Sequence, residues 1–462
     1  MSAHDAMPIP AMMNLAEAAR AVSGTLDGAD VPFSGVTTDS RSVAAGDLFV
    51  ALAGERFDGH RFVAEAVRRG AAAALTARHV ELDLPLAQIV AADTRIALGR
   101  LAAYWRSRFA IPLVALTGSN GKTTVKEMIY AILSAYETAE DAVLATAGNL
   151  NNDIGMPLTL LKLRERHHYA VIEMGMNHAG EIDYLTRLAK PTIALVNNAQ
   201  RAHVGLLGSL GAIAYAKGEI YAGLGPEGVA VVNADDTYAD YWKGLNEGRR
   251  VITFGFAADA YVRAEKAGDG WHFTTPVGAF DVKLRVPGEH NVRNALAASA
   301  AALALGVPPE AMAHALANFL GVPGRLQRRR SPGGGIVIDD TYNANPESMK
   351  AALTVLAAEP GRRVFVMGDM GELGTQSAAL HAEVGDFARK SGIDALLALG
   401  EASRHSVEAF GEGARHFADA KELGAAAAAE SHAGTTLLVK GSRFMQMERV
   451  ADALARGDRD AL

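Results

Sequence analysis

The chain has 462 residues, 49% of them hydrophobic and 21% charged, with a formal net charge of −7 and no cysteine. That length is too great for one ordinary core and predicts about three globular domains. The acidic balance argues against a general nucleic-acid binder, and the missing cysteines exclude disulfides, thiolate nucleophiles and Cys-ligated metals. No run of about 18 uncharged apolar residues could span a bilayer, and Met1-Ser-Ala-His-Asp-Ala-Met-Pro8 has no basic stretch ahead of an apolar core. A cytoplasmic protein without membrane insertion is expected, its Lys and Arg gathered around anionic small molecules.

In chain order, residues 1–88 read as a small α/β module. Segments 35–41 and 46–52 flank a bend, and a helix is predicted near 60–70. A helical pattern between Asp93 and Phe109 then leads into the apolar run 111–116, followed by Thr117-Gly-Ser-Asn-Gly-Lys-Thr-Thr124. This strand-then-glycine-loop junction grips a nucleotide triphosphate: Gly118 and Gly121 let the backbone aim its N–H groups inward, Lys122 supplies charge for the β/γ-phosphates, and Thr123 offers a hydroxyl to Mg²⁺. The helix opening there adds its positive end to the same anion. The first glycine of the usual eight-residue pattern would fall at position 116, which is Leu.

Apolar runs at 169–173, 192–196 and 228–232, with helices between, predict a parallel sheet covered on both faces and a second unit spanning 89–321. After Gly321-Val-Pro-Gly-Arg325 comes a hairpin-like stretch at 328–335, and runs at 336–338, 364–366, 395–399 and 436–440 predict a second doubly wound unit over 322–462. Alanine-rich pieces at 71–77 and 425–429 read as helix filler, and there is no repeat of fixed period.

Polar groups gather at strand ends, where an open α/β sheet builds its site. Glu173 closes its strand and is placed to face the phosphate loop as a second Mg²⁺ ligand beside Thr123. His203 follows the next strand and is a candidate for metal or phosphate contact. Lys217, within a helical stretch, reads by itself as a solvated lysine. The amide-rich segment 146–157 suits a neutral or anionic substrate portion, or an Asx-rich turn. Asn291 and Asn294 share a helix face suited to a base edge. Residues 339–346, 368–374 and 440–445 load three strand ends of the last unit with polar groups, which makes a crevice for a second substrate and closure over the first.

Together these residues resemble the Mur ligase family, ATP-dependent amide-forming enzymes of peptidoglycan precursor synthesis, over essentially the whole chain. Thr117 to Thr124 is similar to the family's phosphate loop, which accounts for Leu116. Asp340-Thr-Tyr-Asn-Ala-Asn-Pro-Glu-Ser348, segment 146–157 and Ala216-Lys-Gly-Glu219 are similar to the branch that joins D-alanyl-D-alanine to UDP-N-acetylmuramoyl-tripeptide. No Asp-Asn-Pro-Arg signature of the diaminopimelate-adding branch is present.

The resemblance implies a three-domain α/β protein with a UDP-sugar domain, a central P-loop ATPase domain and a C-terminal Rossmann-like domain. It implies that Thr38, Asp39, Ser40 and Arg41, with Thr146, Asn149, Asn151 and Asn152, serve the UDP-substrate. ATP falls to Gly118, Ser119, Asn120, Gly121, Lys122, Thr123 and Thr124, with His290, Asn291, Asn294, Arg325 and Asp340. Tyr342, Asn343 and Asn345 complete the site on closure over the dipeptide. Thr123, Glu173, His203 and a carbamylated Lys217 hold Mg²⁺, and Lys122, Lys217 and His203 are the catalytic set.

The implied reaction activates the tripeptide carboxylate as an acyl phosphate for attack by the D-alanyl-D-alanine amine. A monomer is expected. Another amide ligase of the family, tripeptide-forming or folylpolyglutamate-forming, is the alternative; a regulatory nucleotide switch would have no use for a UDP-sugar domain. The third residue of the tripeptide and the group that accepts the amine proton stay open.

Overall fold

The structure is a computed structural model that describes residues 11–54, 57–83, 85–202 and 204–456. Three large sheets, of five, nine and six strands among the described residues, follow one another along the chain with helices packed around them.

The first sheet orders its strands Thr25–Asp27, Ala87–Val90, Ala73–Thr76, Asp47–Val50, Gly35–Thr37, and only the first pairing is antiparallel. Its centre overturns one expectation. The alanine-rich piece at 71–77 is no helix: Ala73, Ala74, Leu75 and Thr76 form a fully buried strand paired on both edges. Four residues are too few to nucleate a helix, and neighbours on both sides and both faces outweigh alanine's weak helical preference. The alanines at 425–429 do lie in a helix, Ala420–Glu430. The helix expected near 60–70 is a 3₁₀ turn, Gly59–Phe62, running into Val63–Arg68.

In the central sheet the phosphate-loop strand Leu113–Thr117 lies between Tyr169–Glu173 and Ile193–Val196, all parallel. These strands are apolar on both faces because helices cover both, and registers pair Leu116 with Glu173 and Thr117 with Val196. Three strand ends therefore open on one edge. The sheet is not parallel throughout, contrary to expectation: Val262–Ala267, Gly270–Thr275 and Gly278–Val282 close one side as an antiparallel meander. Their buried residues are interspersed with exposed ones, so they lack the continuous apolar runs that mark buried parallel strands.

The third sheet begins with the hairpin at 328–335: Gln327–Arg330 runs antiparallel to Ile336–Asp339, and Thr435–Lys440, Arg362–Gly368, Ala395–Leu399 and Ala414–Phe417 follow in parallel. The connection from the central unit turns through left-handed backbone at Gly321, Gly324 and Leu326, with φ of 90°, 69° and 53°. Such a path lets the third unit fold back over the loop edge of the second.

Candidate active site

A cavity of about 860 Å³ lies where the units meet, walled by the phosphate loop, the ends of the central strands and the 340–348 segment of the third unit. At its floor, the loop turns at Gly121 (φ 80°) into the helix Lys122–Tyr136. A Cβ at Gly121 would collide with Asn294 Oδ1 and stand 2.7 Å from Asn197 Nδ2, so only glycine fits. Asn197 donates to Asn120 O (2.9 Å) and to Asn294 Oδ1 (3.0 Å), and Asn294 donates to Asn291 Oδ1 (3.1 Å). Asn294 thus braces the loop from beneath. Lys122 folds its ammonium onto Gly118 O (2.8 Å), and burial pulls its pKa down against the attraction of Glu173.

Beside the loop, Glu173 is 2% exposed; Asn151 donates to its Oε1 (2.7 Å), while Oε2 is buried without a hydrogen-bond partner. Thr146 holds it from behind, its hydroxyl accepting the Glu173 N–H at 3.0 Å. A buried, half-satisfied carboxylate is costly unless a cation completes it. Lys217 reverses its solvated reading: it is 2% exposed, lines the cavity and makes no hydrogen bond or ion pair among the described residues. Burial, with Lys122 as a second positive charge, drives its pKa well below the ordinary lysine value. Its helix, Leu210–Gly218, is anchored by buried Trp242, whose indole N–H donates to Ala214 O (3.0 Å).

The third unit supplies the roof. Arg325 Nη2 donates to Thr123 Oγ1 (2.9 Å) while its guanidinium lies 4.2 Å from the Tyr342 ring centroid. Asn345 caps the helix Pro346–Ala357 and donates to Asn120 Oδ1 (2.7 Å), and Asn120 donates back to Asn345 Oδ1 (3.3 Å). Asp340 pairs with buried Lys440 (2.6 Å), which also donates to Asn343 O (2.9 Å). His290 lines the cavity, its pKa pushed down to about 4 by burial, then by Lys440 and Arg293.

Ser119, Asn120, Gly121, Lys122, Thr124, Asn151, Asn152, Glu173, Lys217, His290, Asn291, Asn294, Arg325, Asp340, Tyr342, Asn343 and Asn345 all line this cavity. Gly118 and Thr123 complete the loop. Thr38, Asp39, Ser40, Arg41, Thr146 and Asn149 are not among its lining residues; Asp39 and Arg41 form an exposed pair at 2.8 Å, and Ser40 donates to Glu65 (3.1 Å). His203 lies outside the described residues. Residues the sequence did not single out include Gln200, Arg201, Asp236 and Arg293. Only their place just beyond strands 193–196 and 229–233, or beside Asn294 on its helix, could have marked them.

Family models match residues 32–106 as Mur ligase family, catalytic domain, residues 116–302 as Mur ligase middle domain, and residues 324–443 as Mur ligase, glutamate ligase domain. The protein named UDP-N-acetylmuramoyl-tripeptide–D-alanyl-D-alanine ligase from Escherichia coli K12 is 46% identical over 442 residues, 94% of this chain and 96% of its own length. The chain belongs to the Mur ligase family. Among solved structures, this Mur ligase resembles MurF from Acinetobacter baumannii with a TM-score of 0.89 at 39% identity, covering 97% of this chain and 100% of that one. It also resembles the MurF ligase from Thermotoga maritima in complex with ADP, with a TM-score of 0.80 at 28% identity over 91% and 97% of the two chains.

Proposed function

We propose that this Mur ligase joins D-alanyl-D-alanine to UDP-N-acetylmuramoyl-tripeptide at the expense of ATP, giving ADP, phosphate and the UDP-muramoyl-pentapeptide. One observation carries the reading: the phosphate loop, the Glu173–Lys217 wall and the Asn343–Asn345 segment converge on one cavity. The curated relatives named for this reaction, matched over nearly the whole chain, support it.

The tripeptide carboxylate attacks the γ-phosphorus and ADP leaves; the dipeptide amine then attacks the acyl carbon, phosphate leaves, and the amine loses a proton. Lys122 and the loop N–H groups hold the triphosphate against this charge redistribution, so catalysis is mostly positioning and electrostatics. Asn345 and Tyr342 close the roof over the acceptor, and Arg325 brings a second cation to the same phosphates.

Mg²⁺ suits this donor set: Glu173 has an orphaned oxygen, and the ion is usually held by one or two carboxylates, phosphates and water. Among the described residues no group of three or more His, Cys, Asp or Glu is arranged as a metal site. Thr123, Glu173, His203 and carbamylated Lys217 would hold the ion, and it would neutralise charge on the phosphates. The carbamate forms when the neutral Lys217 amine adds CO₂ and releases a proton, and the depressed pKa favours that neutral amine.

Residues 1–88 take the UDP-sugar through Thr38, Asp39, Ser40 and Arg41, residues 89–321 take ATP, and residues 322–462 admit the dipeptide. A monomer is proposed, and no helix among the described residues is long and apolar enough to cross a membrane. Nucleotide-linked substrates support action in the cytoplasm. Phosphate release should require D-alanyl-D-alanine together with UDP-N-acetylmuramoyl-tripeptide; equal release with free diaminopimelate, lysine or glutamate as acceptor would reassign the enzyme within the family.

A further inference from the structure

The strand-end segment after Val196 is bonded to the phosphate loop at several points. Asn198 Oδ1 accepts the Asn120 N–H (2.9 Å) and Asn198 O accepts the Ser119 N–H (3.0 Å). Ser119 and Gln200 exchange bonds, Ser119 Oγ donating to Gln200 O (2.9 Å) and accepting from Gln200 N (2.8 Å), while Asn120 donates to Gln200 Oε1 (2.5 Å). The next residue, Arg201, points the other way, into the third unit. Its Nε donates to Glu347 (2.5 Å) and its two terminal nitrogens to Glu383 (2.8 and 3.0 Å), a carboxylate also held by Lys350. Glu347 lies in the first turn of the helix that Asn345 caps. Four residues further on, Gly205 N donates to Glu372 O (2.9 Å), and the backbones are so close that a Cβ on Gly205 would stand 2.6 Å from both Glu372 O and Gly374 N.

We infer that Arg201 is a positioning residue that couples the seating of the third unit to the shape of the phosphate loop. Arg201 takes no part in lining the cavity, and a forked guanidinium between two carboxylates is a costly arrangement to hold at a half-buried interface for packing alone. Its geometry gives it one use: with the third unit seated, the Arg201 backbone is fixed, Gln200 is fixed with it, and Ser119 and Asn120 are presented to the nucleotide in one conformation. With that unit displaced, Arg201 loses both acids and the loop loses Asn345 and Arg325 together. Nucleotide affinity and domain seating are then two readings of one equilibrium, and each must strengthen the other by the same factor.

The inference rests on the loop binding ATP and is independent of which amine is the acceptor, so it is tested by binding, without turnover. Calorimetry with ADP and MgCl₂ should show Arg201→Met losing affinity by about 5- to 150-fold, the usual range of coupling between sites. Small-angle scattering of the same nucleotide-free variant should show a larger radius of gyration. Gly205→Ala, which removes no charge and touches neither the loop nor the cavity, should show both effects by wedging the interface. Circular dichroism and thermal unfolding establish that each variant is folded. A folded Arg201→Met that binds ADP within twofold of the unsubstituted protein would overturn the coupling, as would a Gly205→Ala that expands without losing affinity. No ADP binding by the unsubstituted protein would instead remove the ATP reading itself.

Discussion

Lys122 and Lys217 show how one cavity handles two buried lysines differently. Lys122 has carbonyls and Glu173 to face, so it keeps a use as a cation; Lys217 has burial and a like charge, which favour its neutral amine. Lys122→Ala should reduce turnover by at least about 100-fold, the scale of losing one electrostatic contact in a water-excluded site, with circular dichroism unchanged. For Lys217, a depressed pKa means the reactive amine exists above that pKa and is lost as pH falls through it. Activity should therefore drop on the acid side, and bicarbonate added to CO₂-depleted enzyme should restore it. Lys217→Arg should be inactive with or without bicarbonate; full activity would return Lys217 to a merely structural role. Lys217→Met should be inactive yet raise the unfolding midpoint, because it removes a buried group with no partner.

At the level of elements, strand ends and helix starts place the chemistry. Asn345 serves twice, as the cap of Pro346–Ala357 and as the partner of Asn120. Asn345→Ala should cost about 1 kcal/mol of stability through the cap, read by thermal unfolding, and should also raise the KM for the dipeptide. Asn345→Asp, which can still cap, separates the two effects: stability returns and the KM defect stays. Trp242 holds the Lys217 helix, and Trp242→Ala should cost about 3–5 kcal/mol. The exposed Asp39–Arg41 pair lies apart from the cavity. Arg41→Ala should weaken calorimetric binding of the UDP-substrate while leaving ADP binding intact; parallel losses would merge the two sites.

At the scale of the whole molecule, the third unit reaches the second through side-chain amides, charges and main chain. Arg201 and Lys350 hold the Glu383 carboxyl down at about 2, from an ordinary 4.5. A lowered carboxylate pKa contributes stability above 4.5 that fades as pH falls toward 2. The seated arrangement should therefore persist at pH 5 and expand only below about 4.5, where scattering across a pH series would register it. Expansion already at pH 6 would point to another titrating group. Raised salt should loosen the contact only modestly, since its charges are half-buried and already paired.

What the sequence by itself determined was the chemistry of contiguous backbone. A phosphate loop is built from eight neighbouring residues and the helix they open, so Thr117 to Thr124 declared its ligand without any distant contact. The continuous apolar runs at 169–173 and 192–196 likewise declared buried parallel strands, because covering both faces leaves no polar position. Tertiary structure decided what depends on company. Ala73–Thr76 became a strand because neighbours lay on both edges, and the meander at 262–282 escaped notice because its interspersed exposed residues broke the continuous apolar pattern. Lys217 was an ordinary lysine until burial and Lys122 changed its proton affinity. Arg201 carried no signal beyond its place after a strand end, since its partners lie 146 and 182 residues away in sequence. Long-range electrostatics and close packing are properties of the assembled chain, and no local pattern records them.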